Sequence, residues 1–286
     1  MKKLMFAAAV AAGLVAFGEG GIESQNTVGF NTKAVEAAKF YILGVQFEAT
    51  DGTADINKLV SGFTGESQEE NENFTATAPQ IQIPNSTTGG YDVYYYLVDG
   101  WYDNGTEDGA FKPGWCDQNG VIAGEAEADL DGEITTGVGM WVKDVQNSET
   151  FQQAGQVPSD SSVAVSAPAN FTLRTNPFPV AFNLNDATKV TCANLTAGDI
   201  DDDDFASKAS QIQVPNATTG GYDVYYYLSN GWYDNGTEDG DFKPGWCDQN
   251  GVIAGEAEAD LDGNIPAGQG FWTKGVGGSF TMTFMK

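Results

Sequence analysis

Tyr91-Asp-Val-Tyr-Tyr-Tyr-Leu97 returns unchanged 131 positions later as Tyr222-Asp-Val-Tyr-Tyr-Tyr-Leu228. Tyr91, Val93, Tyr95 and Leu97 alternate with Asp92, Tyr94 and Tyr96. That period of two predicts a strand with two different faces. Gly89-Gly90 before it and Asp99-Gly100 after it are turn chemistry.

Working outward, the same interval holds without a gap. Ile81-Gln-Ile-Pro-Asn85 recurs as Ile212-Gln-Val-Pro-Asn216, the segment from Gly100 to Gly109 as Gly231 to Gly240, and Lys112 to Gly120 as Lys243 to Gly251. From Gln80 to Val145 about 54 of 66 positions are identical to their partners. Upstream the likeness fades but the register holds: Phe40 meets Phe171, Phe47 meets Phe178, Lys58 meets Lys189 and Phe74 meets Phe205. The interval is too long for a solenoid unit and suits a domain with its own core. We therefore expect two tandem homologous domains, at about residues 19–156 and 157–286, joined at the polar Val157-Pro-Ser-Asp-Ser-Ser162.

Short segments rich in Val, Thr, Tyr and Phe, punctuated by Gly, Asn and Asp, read as all-β. Further strands are expected at Phe40–Phe47, Met140–Lys143, Phe271–Lys274 and Phe280–Phe284, and one or two helical turns at Asp55–Val60. No long segment carries a helical apolar period. A two-sheet β-sandwich per domain is the expected architecture, with a barrel as the alternative.

Acidic residues outnumber basic ones 40 to 13 in 286, a formal net charge of −27. Such a surface repels nucleic-acid phosphates and anionic membranes and attracts cations. The chain has no histidine, which removes Ser-His-Asp and Cys-His catalysis and histidine metal sites. We expect no enzyme.

Lys2 and Lys3, the apolar run Leu4–Phe17, and small residues Ala16 and Gly18 before Glu19 read as a bacterial-type secretory signal over residues 1–18. The run is short for a membrane span, and no later segment is apolar enough for one. A secreted or cell-surface protein is expected. Outside the cytoplasm disulfides are permitted, and the three cysteines are Cys116, Cys192 and Cys247. A Cys192–Cys247 bridge and pairing across an interface both fit the sequence.

Val28-Gly-Phe30, Phe171-Thr-Leu-Arg-Thr-Asn-Pro-Phe178, Gly268-Gln-Gly-Phe-Trp272 and Gly155-Gln-Val157 are turn-and-strand motifs. Together they resemble a group of secreted tandem β-domain proteins of planctomycete and verrucomicrobial bacteria. The resemblance implies export and all-β structure, and no activity.

Three constellations are candidate sites. Glu127, Asp129 and Asp131, repeated as Glu258, Asp260 and Asp262, alternate before a glycine like the opening of an EF-hand calcium loop. The twelfth position holds Val138 or Gln269 instead of a bidentate Glu, so a full EF-hand is rejected and a simpler calcium turn is what remains. Asp103, Glu107 and Asp108, with Asp234, Glu238 and Asp239, form a second oxygen-rich loop for calcium. Trp101, Tyr102 and Trp115, with Trp232, Tyr233 and Trp246, lie beside acids and amides as in sugar-binding modules, against the alternative of core packing.

Two functions are expected from these features. The first is a non-enzymatic structural or assembly protein of the cell surface, self-associating or meeting other surface proteins. In it, the strand Thr27-Val-Gly-Phe-Asn-Thr32 pairs with a neighbouring subunit. The second is a calcium-assisted carbohydrate-binding protein with two similar sites.

Overall fold

The computed structural model describes residues 28–85, 87–237 and 240–286. The expected signal segment, Thr27, and the candidate ligands Glu238 and Asp239 lie outside the described residues.

In the first half the strands are β1 (Val28–Val35), β2 (Phe40–Gly44), β3 (Val60–Ser61), β4 (Gln80–Pro84), β5 (Tyr91–Tyr102), β6 (Ala110–Cys116), β7 (Gly139–Lys143) and β8 (Glu149–Gln156). Two four-residue helices, α1 (Ile56–Leu59) and α2 (Phe74–Thr77), interrupt them. The second half holds β9 (Ser162–Ala167), β10 (Thr172–Thr175), β11 (Phe182–Asn183), β12 (Val190–Ala193), β13 (Gln211–Pro215), β14 (Tyr222–Tyr233), β15 (Asp241–Cys247), β16 (Asn264–Ile265), β17 (Gly270–Lys274) and β18 (Phe280–Met285). Its helix is α3 (Phe205–Lys208).

The protein is all-β and sandwich-like, and none of its sheets closes into a barrel. A five-stranded antiparallel sheet, β2-β7-β4-β5-β6, faces a three-stranded one, β1-β8-β3. The second half repeats this with β10-β17-β13-β14-β15 facing β9-β18-β12, plus the short pair β11-β16. Alternation decides which side chains point inward. Ile81, Ile83, Tyr94, Met140 and Val142 leave the large sheet on one face and meet Val35, Val60 and Phe151 of the small sheet. Ile212, Val214, Tyr225 and Phe271 meet Val190, Phe280, Met282 and Phe284 in the same way.

Leu97 lies on the opposite face yet is fully buried. Phe74 and Ala78 of the α2 segment cover it, forming with Cys116 and Ile122 a second small core on the back of the sheet. The Tyr91–Leu97 strand is therefore covered on both faces at its end, where simple alternation expects one wet side.

The terminal strand is not left for a neighbour. Residues 28–35 pair antiparallel with residues 149–156 of the same chain. All three cysteines are free thiols, so no disulfide forms. Burial pushes each thiol pKa up to about 12.

The halves meet in reciprocal contacts. Leu43 pairs with Gln269, and Arg174 pairs with Val138; each residue of the second pair is 131 positions from its counterpart. The Gly44 N–H donates to Gly268 O at 3.0 Å, and the Thr175 N–H donates to Gly137 O at 3.1 Å. Trp141 meets its own counterpart Trp272, ring centres 6.1 Å apart. Mutual contact of one surface with its copy is the signature of an isologous, two-fold interface, here within one chain.

Candidate functional site

Beyond the small core around Leu97, the five-stranded sheet has a back face that the main core does not use. Cross-strand register sets Trp141 beside Gln82 and Gln82 beside Val93. The next row sets Phe40 beside Lys143, Lys143 beside Gln80 and Gln80 beside Tyr95. Tyr91, two residues before Val93, is on the same face. Strands about 4.8 Å apart thus carry aromatic and amide groups at a spacing close to one sugar unit. The second half repeats the set with Gln211, Gln213, Tyr222, Tyr226, Trp272 and Lys274.

The amides are held in place. Gln82 Nε2 donates to Gln80 Oε1 at 3.2 Å, and Gln80 Nε2 donates to Thr75 O of α2 at 2.9 Å. Gln213 and Gln211 form the same relay to Ala206 O of α3. The two faces touch through an edge-to-face aromatic row of Phe40, Trp141, Trp272 and Phe171, with centroid steps of 5.7, 6.1 and 6.2 Å. Lys143 and Lys274 cap its ends over Phe40 and Phe171. Partial burial raises the phenol pKa values of Tyr95 and Tyr226, so both stay neutral hydrogen-bonding groups at physiological pH.

Strand β6 stops at Cys116 opposite Tyr95, which leaves residues 91–94 without a strand on that side. The loop after Cys116 closes around this gap and leaves a hollow of 240 Å³ lined by Tyr91, Asp92, Tyr95, Asp117, Gln118 and Asp129. The second half has its counterpart, 190 Å³, lined by residues 131 positions on.

Asp117 sits at the base of this loop with no exposed surface. Its Oδ1 accepts the N–H groups of Asn119 and Val121, and its Oδ2 accepts that of Asp129. Asp248 does the same for Asn250, Val252 and Asp260. These carboxylates build the loop.

Most of the described calcium candidates are engaged by the chain itself. Among the described residues no three His, Cys, Asp or Glu side chains stand together as a metal site. Asp129 and Asp260 accept the side-chain amides of Asn119 and Asn250. Asp131, Asp262, Asp103 and Asp234 accept backbone N–H groups two residues on, forming Asx turns. Glu127, Glu258, Glu107 and Asp108 are exposed, and Asp108 lends its carbonyl to the Trp101 indole.

The expected stacking residues separate into two groups. Trp115 is 0% exposed and donates to Val60 O, and Trp246 is buried in the core against which Cys192 packs. Both are core residues with no ring face for a ligand, a correction that follows from the inward parity of β6 and β15. Trp101, Tyr102, Trp232 and Tyr233 are half-buried. Lys112 covers Tyr102 at 4.2 Å and Lys243 covers Tyr233 at 4.0 Å. Trp101 and Trp232 lie flat on Gly109 and Gly240, where any Cβ would stand 2.3 Å from the indole. The back-face residues Gln80, Gln82, Tyr91 and Tyr95 were not singled out from sequence. Their signal was there: Gln-x-Gln in one strand beside Tyr-x-x-x-Tyr in the next.

Fold and face together define an all-β sandwich protein with a duplicated aromatic–amide surface. No protein-family model, curated protein or solved structure matches the chain. Among the described residues no helix is long and apolar enough to cross a membrane.

Proposed function

We propose that this is an exported, non-enzymatic protein that binds a neutral glycan along the back faces of its two large sheets. One observation carries the reading: the same glutamine–tyrosine–tryptophan set is laid out twice and joined at Trp141 and Trp272. Aromatic faces stack on sugar rings, and fixed amides exchange hydrogen bonds with hydroxyls. Duplication then adds avidity. Net charge of −27 favours an uncharged polymer over a polyanion.

Affinity electrophoresis through gels containing neutral β-glucan, xylan or mannan tests it. One polymer should retard the protein. Trp141→Ala, or Tyr91→Ala with Tyr222→Ala, should weaken retardation by about tenfold or more. Unretarded migration in every polymer overturns the reading. Calcium is a separate arm. Equal retardation in chelator and in millimolar calcium removes the calcium-assisted form, and retardation only with calcium restores it.

A second reading, surface assembly, is favoured by β1. Its outer edge has no partner strand among the described residues, and Val28 and Phe30 there are 68% and 63% exposed. The edges of β6 and β15 instead carry Lys112-Pro113 and Lys243-Pro244, which blunt strand addition. Under this reading sedimentation grows with concentration, and Phe30→Lys abolishes the growth.

A further inference from the structure

A cleft of 640 Å³ is lined by residues of both halves, within the size range of small-ligand sites. From the second half it is lined by Arg174, at the core-side parity of edge strand β10, and by Phe171 and Trp272 from the other face of the same sheet; from the first half it is lined by Tyr91, Asp131 and Glu133. Arg174 is the chain's single arginine. In a protein so rich in carboxylates it makes no ion pair among the described residues. Its Nε and Nη1 donate to the carbonyls of Ser166 and Leu173. A guanidinium has five N–H donors, so Nη2 and one Nη1 hydrogen are left for a ligand. Across the cleft, Glu133 accepts no hydrogen bond from the described residues.

The two-fold relation between the halves makes this placement informative. The counterpart of Arg174 is Leu43, and the counterpart of Glu133 is Asn264. The related position in the other half therefore has neither charge. A cation and an anion were placed on opposite walls of one cleft only, at positions where the repeats differ. With Asp92, Asp131 and Glu133 along it, the cleft disfavours a simple anion. A ligand with separated charges of both signs satisfies both walls.

We infer that this cleft binds a small zwitterion, an α-amino acid or short peptide with an aromatic side chain. Its carboxylate meets the Arg174 fork, its ammonium meets Glu133 and Asp131, and its ring reaches round the edge of β10 to Phe171 and Trp272. An arginine pairs with a carboxylate through two parallel hydrogen bonds, which gives such a site direction as well as charge. The inference does not rest on glycan binding, although the cleft shares Tyr91, Phe171 and Trp272 with the sheet faces.

Isothermal titration of the full chain with L-phenylalanine, 3-phenylpropionate and phenethylamine tests it, since the last two each lack one charge. L-phenylalanine should bind saturably, and each analogue about tenfold or more weaker. Arg174→Leu, which installs the side chain of the matching position, should weaken L-phenylalanine by about tenfold or more and leave phenethylamine unchanged. Arg174→Lys keeps the charge without the fork and should fall between. Glu133→Asn should weaken L-phenylalanine and leave 3-phenylpropionate unchanged. Unchanged melting temperatures of these variants report that the fold is intact. No saturable L-phenylalanine binding, equal binding of an analogue, or unchanged binding by Arg174→Lys and Glu133→Asn overturns the inference.

Discussion

Single residues in this protein carry unequal burdens, and Asp144 is the clearest case. It is fully buried at the end of β7. Its Oδ1 accepts the N–H groups of Gln146 and Asn147, while Oδ2 has no partner. Burial, opposed by those two bonds and aided by the charges of Glu149 and Glu66, raises its pKa above the ordinary carboxylate value. A carboxyl whose folded pKa is raised favours the folded state while protonated. That contribution is lost as pH rises from the unfolded value through the folded one. At neutral pH Asp144 is thus a liability, and an amide keeps the turn without the charge. Asp144→Asn should raise the melting temperature at pH 7 by a few degrees and give no gain near pH 3.5. Melts of both proteins at the two pH values check this. An equal shift at both would remove the charge from the account. The counterpart residue is Gly275, so the effect belongs to the first half alone.

Strands were legible in the sequence because their signal is local, whereas the acidic loops were not, because two structures share one spelling. Alternation in Tyr91–Leu97 and Phe280–Phe284 reports inward and outward directions directly, and both became strands. Acid residues at every second position before a glycine spell both a calcium turn and a run of Asx turns. Deciding between them needs the distant partner of each oxygen: Asp117, placed before the run, binds the Asp129 N–H from across the loop. The back-face site was hidden for a related reason. Its residues lie on β4, β5 and β7, up to about 60 positions apart, and only register brings them side by side. The loop assignment makes its own prediction. Asp117→Ala strands three N–H groups that the carboxylate now satisfies and should cost roughly 2–4 kcal/mol. Asp248→Ala, in the same surroundings, should cost a similar amount. Hydrogen exchange should rise at residues 119–131 in one variant and 250–262 in the other. Fast exchange at both loops in either variant would contradict local anchoring.

At the scale of the whole molecule, the two halves relate to each other as the subunits of a symmetric dimer. The sequence hides this because the contact lies where the repeats have drifted. Gly44 faces its own counterpart Thr175, and a Cβ built on Gly44 would stand 2.0 Å from the Thr175 hydroxyl. Thr175 is fully buried, and its Oγ1 donates to Gln269 O. Near a two-fold axis only one of two equivalent positions has room for a side chain, so the glycine at 44 is the complement of the threonine at 175. Gly44→Thr alone should push β2 away from β10 and β17, lower the melting temperature, and split a single unfolding transition into two. Adding Thr175→Gly moves the side chain to the other side of the same axis. The double variant should therefore recover a large part of the loss, because neighbours that share one space are not additive. Calorimetry of the single and double variants measures the coupling. If the two losses merely add, the positions do not share one space, and the description of the halves as an internal dimer fails at its axis.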